Sequence, residues 1–249
     1  MKTNSLSDIG GRKFQEDSCT IVSNNHSTFF LVADGMGGHN GGGIASSIFV
    51  NEASIAYQKF DTKIKEPKLF FEEIIENCSQ KFKKEEALES SLDLHTTCAM
   101  ALLQDEKLYC GHIGDSRVYL FDTKSQWHTK DHSVVQVLVD LGEIKEEEMA
   151  THPHQNRLLE SLSSRSKNNL SFSEKTINLK KSFAILVCSD GFWEYITTKE
   201  MQKVLFSNDI KNPCEEMVKM VKKRNGEFGD NISVVVGVEK KKKRWFLWF

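Results

Sequence analysis

The chain has 249 residues, 39% of them hydrophobic and 27% charged, with a formal net charge of -2. That balance suits a soluble domain with a real core, and no stretch reaches the length needed to span a bilayer. Five positive charges are gathered in Lys240–Arg244, so the rest of the chain is distinctly acidic, which excludes the usual profile of a nucleic-acid binder.

Met1–Ser5 leads into no apolar h-region, so no secretory signal is expected. Gly10-Gly11-Arg12-Lys13-Phe14-Gln15-Glu16-Asp17 then forms a charged loop ahead of two expected strands, 17–23 and 28–34. The second closes on Val32-Ala33-Asp34-Gly35-Met36-Gly37-Gly38-His39, with Gly41-Gly42-Gly43 just beyond. Apolar positions at spacings of three to four predict helices over 44–59 and 69–88. Short β-branched or apolar runs predict strands at 96–103, 107–113 and 117–121, with Gly114-Asp115-Ser116-Arg117 at a tight turn. Residues 133–141 are expected to form a short helix stopped by Gly142. Strand 183–188 ends at Ser189-Asp190-Gly191. Helices are expected over 198–206 and over 213–224, the latter with Pro213 in its first turn. Gly229-Asp230-Asn231 opens a last strand at 232–238. Closely spaced strands imply antiparallel hairpins, and paired long helices imply layers outside the sheets. One sandwich domain is therefore expected, with its first and last strands adjacent and Asp34, Asp190 and Asp230 at one end.

The six cysteines form no CxxC pair and lie mostly in apolar runs, so they read as buried reduced thiols in a cytoplasmic protein. His152-Pro153-His154 has no companion Cys or His at zinc-ligand spacing.

Asp34, Asp190 and Asp230 each stand beside a glycine and an apolar run. Carboxylates so placed suit hard divalent cations, since a neighbouring glycine lets a backbone oxygen approach as a further ligand. Each alone is equally an ordinary turn. Asp115 also reads as a hairpin turn with Arg117 as a surface partner, and 10–17 as an exposed charged loop. A guanidinium at Arg12 suits bidentate capture of a phosphate.

Taken in order, Arg12-x-x-Gln15-Glu16-Asp17, Asp34-Gly35-Met36-Gly37-Gly38-His39, Thr96-Thr97, Gly114-Asp115-Ser116-Arg117, Asp131-His132-Ser133, His152-Pro153-x-x-Asn156, Ser189-Asp190-Gly191 and Asp230-Asn231 closely resemble the motifs of the metal-dependent PPM/PP2C family of protein serine/threonine phosphatases, in its compact bacterial form. The resemblance runs over about residues 5–238.

It implies an α+β fold, a four-layer α-β-β-α sandwich of two antiparallel sheets flanked by helices. Residues 1–239 would form the phosphatase domain, with a flap over about 133–165, and 240–249 a basic, aromatic tail. It further implies two Mn²⁺ or Mg²⁺ ions bridged by water. Asp34 would bridge them, the Gly35 carbonyl would ligate one, and Asp190 and Asp230 would complete the other. Glu16 and Asp17 would order waters around them, and a third, weaker ion would fall to Asp115 with Asp190. Hydrolysis of phosphoserine and phosphothreonine would use the hydroxide between the metals, with Arg12 on the phosphoryl oxygens, His39 as general acid and no phosphoenzyme. The implied partners are a phosphorylated protein substrate and a cognate serine/threonine kinase; the chain is expected to be a monomer that binds no nucleic acid.

The sequence departs from the family pattern in three places: Gln15 for asparagine, His95 for glycine, and the stretch Asn156–Ser163, where Glu160 replaces an arginine and Ser163 a glycine. That stretch ends the flap, so substrate selection is expected to differ there. Residues 240–249 place Lys and Arg next to Trp and Phe, a composition suited to an anionic membrane surface, to a partner, or to a tail folded back onto the domain. The expected location is therefore cytoplasmic, peripheral to the inner face of the membrane.

Overall fold

The computed structural model describes residues 1–36, 41–227 and 229–241. His39 and residues 242–249 lie outside the described residues. The elements in chain order are β1 (Lys2–Asp8), β2 (Asp17–Ser23), β3 (Ser27–Met36), α1 (Gly41–Gln58), α2 (Pro67–Leu88), β4 (His95–Thr96), β5 (Cys98–Gln104), β6 (Lys107–Ile113), β7 (Arg117–Asp122), β8 (Gln126–His128), α3 (Val134–Asp140), a 3-10 turn (Glu146–Thr151), β9 (Leu162–Ser163), β10 (Ser171–Thr176), β11 (Phe183–Cys188), α4 (Asp190–Trp193), α5 (Thr198–Phe206), α6 (Pro213–Asn225) and β12 (Ile232–Glu239).

The strands form two antiparallel sheets. One has the order β1-β12-β11-β7-β8; the other runs β10-β6-β5-β3-β4-β9, with β2 also paired to β3. Alternation along the central strands fills three apolar layers. Phe30 and Val32 of β3 meet Ile185, Val187 and Val235 between the sheets. Phe29, Leu31 and Ala33 face outward onto α1 and α2, and Val234, Val236 and Val238 face outward onto α5 and α6. Strands buried on both faces read as continuous apolar runs, which is why these were legible. The result is the expected four-layer α-β-β-α arrangement.

The strands not anticipated include β1, β8 and β10, which lie at sheet edges. Their sequences (KTNSLSD, QWH and SFSEKT) have little apolar patterning. They become strands because a neighbour supplies the ladder, as β12 does for β1 from Lys2↔Val238 to Asp8↔Ile232. The neighbour of the last strand is therefore β1, not the expected 17–23 strand, which pairs with β3. The expected 96–103 strand is split at Thr97, whose N–H turns aside to the Asp34 carbonyl at 2.8 Å.

All six cysteines are free thiols, and all but the half-buried Cys19 are buried. Burial pushes Cys98, Cys110 and Cys214 up to about 12, which leaves them protonated and chemically quiet. Among the described residues no helix is long and apolar enough to cross a membrane.

Candidate active site

One end of the sandwich gathers residues from widely separated segments. Asp34 lies inside β3, not at a chain turn, because Gly35 and Met36 continue the strand by pairing with Thr96 and His95. Asp17 is its cross-strand partner in β2. Asp190 is the first residue of α4, directly after β11. Asp115 and Asp230 sit in the connections before β7 and β12. Arg12, Glu16, Asp34, Gly35, Asp115, Asp190 and Asp230 all line one cavity of about 250 Å³, with Asn156 and Leu158 from the flap. A cavity of about 820 Å³ lies elsewhere, so convergence of acids, not size, singles this one out.

Backbone close-packing holds the acids in place. A Cβ on Gly35 would sit 2.0 Å from the Gly42 carbonyl oxygen, and one on Gly191 would sit 2.2 Å from that of Asn231. No other residue fits either place without moving backbone. The Asp34 N–H donates to Thr97 Oγ1 at 2.9 Å, and the Thr96 hydroxyl donates to the Asp34 carbonyl at 2.8 Å. Asn231 ties the charged loop to β12. Its Oδ1 accepts from the Glu16 N–H at 2.8 Å, and its Nδ2 donates to the carbonyls of Ile9 and Phe14 at 2.8 and 3.1 Å. Neither Asn231 nor Ser189, whose hydroxyl donates to Asp17 at 2.7 Å, was singled out from the sequence as a brace. The Asp-Asn and Ser-Asp dipeptides were the only signal available.

The electrostatics of the cavity are one-sided. Burial, then the charges of Asp17, Asp190 and Asp115, pushes Asp34 well above the usual carboxylate range. Burial and Asp190 do the same to Asp115, and burial and Asp230 raise Asp190. Asp17 is pushed up to about 7 by burial, eased by the Ser189 hydrogen bond. Glu194, one turn along from Asp190, rises to about 8 through burial and then the neighbouring aspartates. Glu16 is raised more mildly by burial, which Arg12 opposes. Arg12 is the cation at the mouth, 2.6 Å from Asp230; it pairs with neither Glu16 nor Asp17. Buried acids that raise one another in this way are relieved by a cation.

Among the described residues, no three acid, His or Cys side chains converge in the arrangement that a held metal ion requires. Asp230 pairs with Arg12, and Asp190 accepts from the Gly191 N–H. The donor set nonetheless fits hard divalent cations. Its members are all oxygen donors, Gly35 brings backbone to the cavity wall, and Asp17 Oδ1 is buried with no hydrogen-bond partner.

Arg117 is not the surface partner that the turn reading allows: it is only 3% exposed. It forms a bidentate pair with Asp131 at 2.8 and 2.7 Å, and its guanidinium lies 3.5 Å from the centroid of the Trp193 ring. Trp193 Nε1 in turn donates to the Asp115 carbonyl at 3.0 Å. The Asp131 motif thus braces the loop that carries Asp115.

The departures near the flap end fasten it to the body. His95 Nδ1 lies 3.0 Å from Ser161 Oγ, and the Ser79 hydroxyl donates to the Ser163 carbonyl at 2.9 Å. Glu160 accepts from Asn169 at 3.1 Å, while Asn156 and Leu158 are the flap residues that reach the cavity. His112 of β6 is buried, its ring 4.6 Å from that of His132 and its Nε2 bonded to the Lys130 carbonyl. Burial, then His132, depresses it to about 4. The unfolded chain therefore takes up this proton first, so the stability it contributes is complete above about pH 6.5 and is lost as pH falls toward 4. The loss is expected to reach about 3 kcal/mol. Urea unfolding of His112→Gln across that range should show a flatter pH dependence than the parent; an unchanged slope would clear His112 of the effect.

Comparison with known proteins agrees with this geometry. A family model described as protein phosphatase 2C matches residues 7–227. The chain is 30% identical over 233 residues to the serine/threonine phosphatase stp of Listeria monocytogenes serotype 4b, covering 90% of each. It is 28% identical over 243 residues to the protein phosphatase PhpP of Streptococcus pneumoniae, covering 95% of this chain and 96% of that one. Among solved structures, the fold is similar to the serine/threonine phosphatase Stp1 of Staphylococcus aureus (TM-score 0.86, 22% identity, 96% of this chain and 95% of that one). It is also similar to the catalytic domain of the phosphatase PstP in complex with two manganese ions (TM-score 0.80, 24% identity, 95% and 97% covered). With the family model spanning most of its length and the sandwich matching from end to end, the chain belongs to the protein phosphatase 2C family.

Proposed function

We propose that the protein hydrolyses phosphoserine and phosphothreonine monoesters on protein substrates, opposing a serine/threonine kinase, with two Mn²⁺ or Mg²⁺ ions in the acidic cavity. The observation that carries this reading is the shared lining of one cavity by Arg12 and by Asp34, Gly35, Asp115, Asp190 and Asp230, from segments far apart in the chain. When bound, a cation pair supplies an activated water and neutralises charge during in-line displacement. The residues divide the remaining work. Asp34, the Gly35 carbonyl, Asp190 and Asp230 would hold the two ions, and Asp115 with Asp190 would offer a weaker third place. Asp17 and Glu16 hold water around them. Arg12, at the mouth, binds the phosphoryl oxygens and offsets their charge as the leaving alkoxide departs. His39 remains the proposed proton donor to that alkoxide. The reading needs no side-chain nucleophile, and burial holds all six thiols protonated.

A phosphothreonine peptide assayed with and without Mn²⁺ tests this. Turnover is expected only with the metal present, and absence of turnover in excess Mn²⁺ would overturn the proposal.

A further inference from the structure

The register of the five-stranded sheet sets the cavity and the start of residues 240–249 at opposite poles. β12 begins beside Asp230 and runs eight residues to Glu239, about 26 Å at the usual strand rise. Beside it, β11 starts at Phe183, opposite Glu239, and ends at Cys188, just before Asp190. β7 leaves the Asp115 loop at Arg117 and ends at Asp122, opposite Phe183.

The far pole is rich in lysine. Lys2 pairs with Val238, Lys240 and Lys241 follow β12, and Lys180 and Lys181 precede β11. All five are exposed. They come from three segments and meet there: the Lys241 N–H donates to Ser182 Oγ at 2.9 Å. Burial, then the nearby charge of Lys2, pulls the Lys240 ammonium below its usual value. Of the nearby carboxylates Glu239 and Asp122 are already engaged, while Asp209, two residues beyond the Ser207 carbonyl that holds the Lys240 ammonium, is exposed. Glu239 is held by the Met1 amino group at 2.6 Å and by Lys241 at 2.8 Å. Asp122 accepts from the Lys124 and Ser125 backbone at 2.6 and 2.7 Å. From Lys241 the sequence continues Lys242-Lys243-Arg244-Trp245-Phe246-Leu247-Trp248-Phe249.

We propose that this lysine-rich pole and residues 240–249 together form a docking surface for an anionic lipid bilayer, with the catalytic cavity facing away from it. Basic side chains are drawn to anionic headgroups, and Trp and Phe favour the depth just beneath them; both ingredients follow one another here from a pole that is itself cationic. The orientation leaves the cavity open to phosphorylated proteins in the water above the membrane.

Sedimentation of the full chain with phosphatidylserine-containing vesicles, with pure phosphatidylcholine vesicles as the comparison, tests the proposal without reference to phosphatase activity. Binding is expected to be about tenfold or more tighter on the anionic vesicles and to weaken with salt. Lys180→Glu with Lys181→Glu should weaken it about tenfold, as should Trp245→Ser with Trp248→Ser. Equal binding to both vesicle types, or binding undiminished by either pair of substitutions, would overturn the proposal. Retention by soluble poly-glutamate as strong as by the anionic vesicles would assign the surface to an acidic protein instead. A soluble phosphothreonine peptide should be turned over as fast by vesicle-bound as by free enzyme, and tenfold suppression on vesicles would refute the orientation.

Discussion

Asp34→Asn is expected to lower turnover of a phosphothreonine peptide in saturating Mn²⁺ by about 10³-fold or more, while leaving the fold intact. The amide keeps the shape of the side chain, and the Asp34 backbone stays clamped by Thr96 and Thr97. What disappears is a carboxylate sharing its cavity with Asp115, Asp190 and Asp230. A binding readout separates loss of metal from loss of chemistry. In the parent, Mn²⁺ at about a hundred times its dissociation constant should add about 2.7 kcal/mol of stability, a rise in Tm of roughly 5–10 °C for a chain of this size. In the Asn variant that rise should shrink to a small fraction. Without metal the variant should melt no lower than the parent, because one buried acid among like charges has become neutral. Full turnover in the variant, or an undiminished Mn²⁺-induced rise, would show that Asp34 is not a ligand.

Arg117→Met should be the most destabilising single change among the charged residues, by about 3–5 kcal/mol, or roughly 10 °C in Tm. The cause is Asp131, which is buried and would lose both hydrogen bonds from its only ion-pair partner among the described residues. Adding Asp131→Leu should recover much of the loss, since a buried pair replaced by apolar groups is often near neutral whereas a broken pair is not. Urea unfolding of the two single variants and the double variant measures this directly. A double variant no more stable than Arg117→Met would mean that packing of the guanidinium on Trp193, not the stranded charge, sets the cost. That packing also links the pair to the site, because Trp193 holds the Asp115 carbonyl.

The flap departures acquire a more definite meaning from the contacts they make. His95, Ser161 and Ser163 join the flap end to α2 and to the strand that extends Gly35 and Met36. Divergence there alters how the flap is fastened, and Asn156 and Leu158 are what it presents to the cavity.

The central strands and the long helices were legible in the sequence because each rests on local chemistry: strands buried on both faces must be apolar throughout, and helices must repeat every three to four residues. The acids were legible only as an ordered set with Arg12 and Glu16, since each alone reads equally as a turn. Edge strands such as β1 and β10 were not legible, because pairing with β12 and β6 makes them strands while their own residues are largely solvated. Tertiary structure alone decided that Arg117 is buried, that Asp17 lies under Asp34, and that Asn231 ties the Arg12 loop to β12. It also decided that β12 delivers Lys240 and Lys241 to the pole opposite the cavity. The physical reason is common to all of these. Sequence spacing records what a residue wants from its immediate neighbours along the chain, whereas burial, register and charge crowding are set by segments that the fold brings side by side, some of them, like β1 and β12, more than two hundred residues apart.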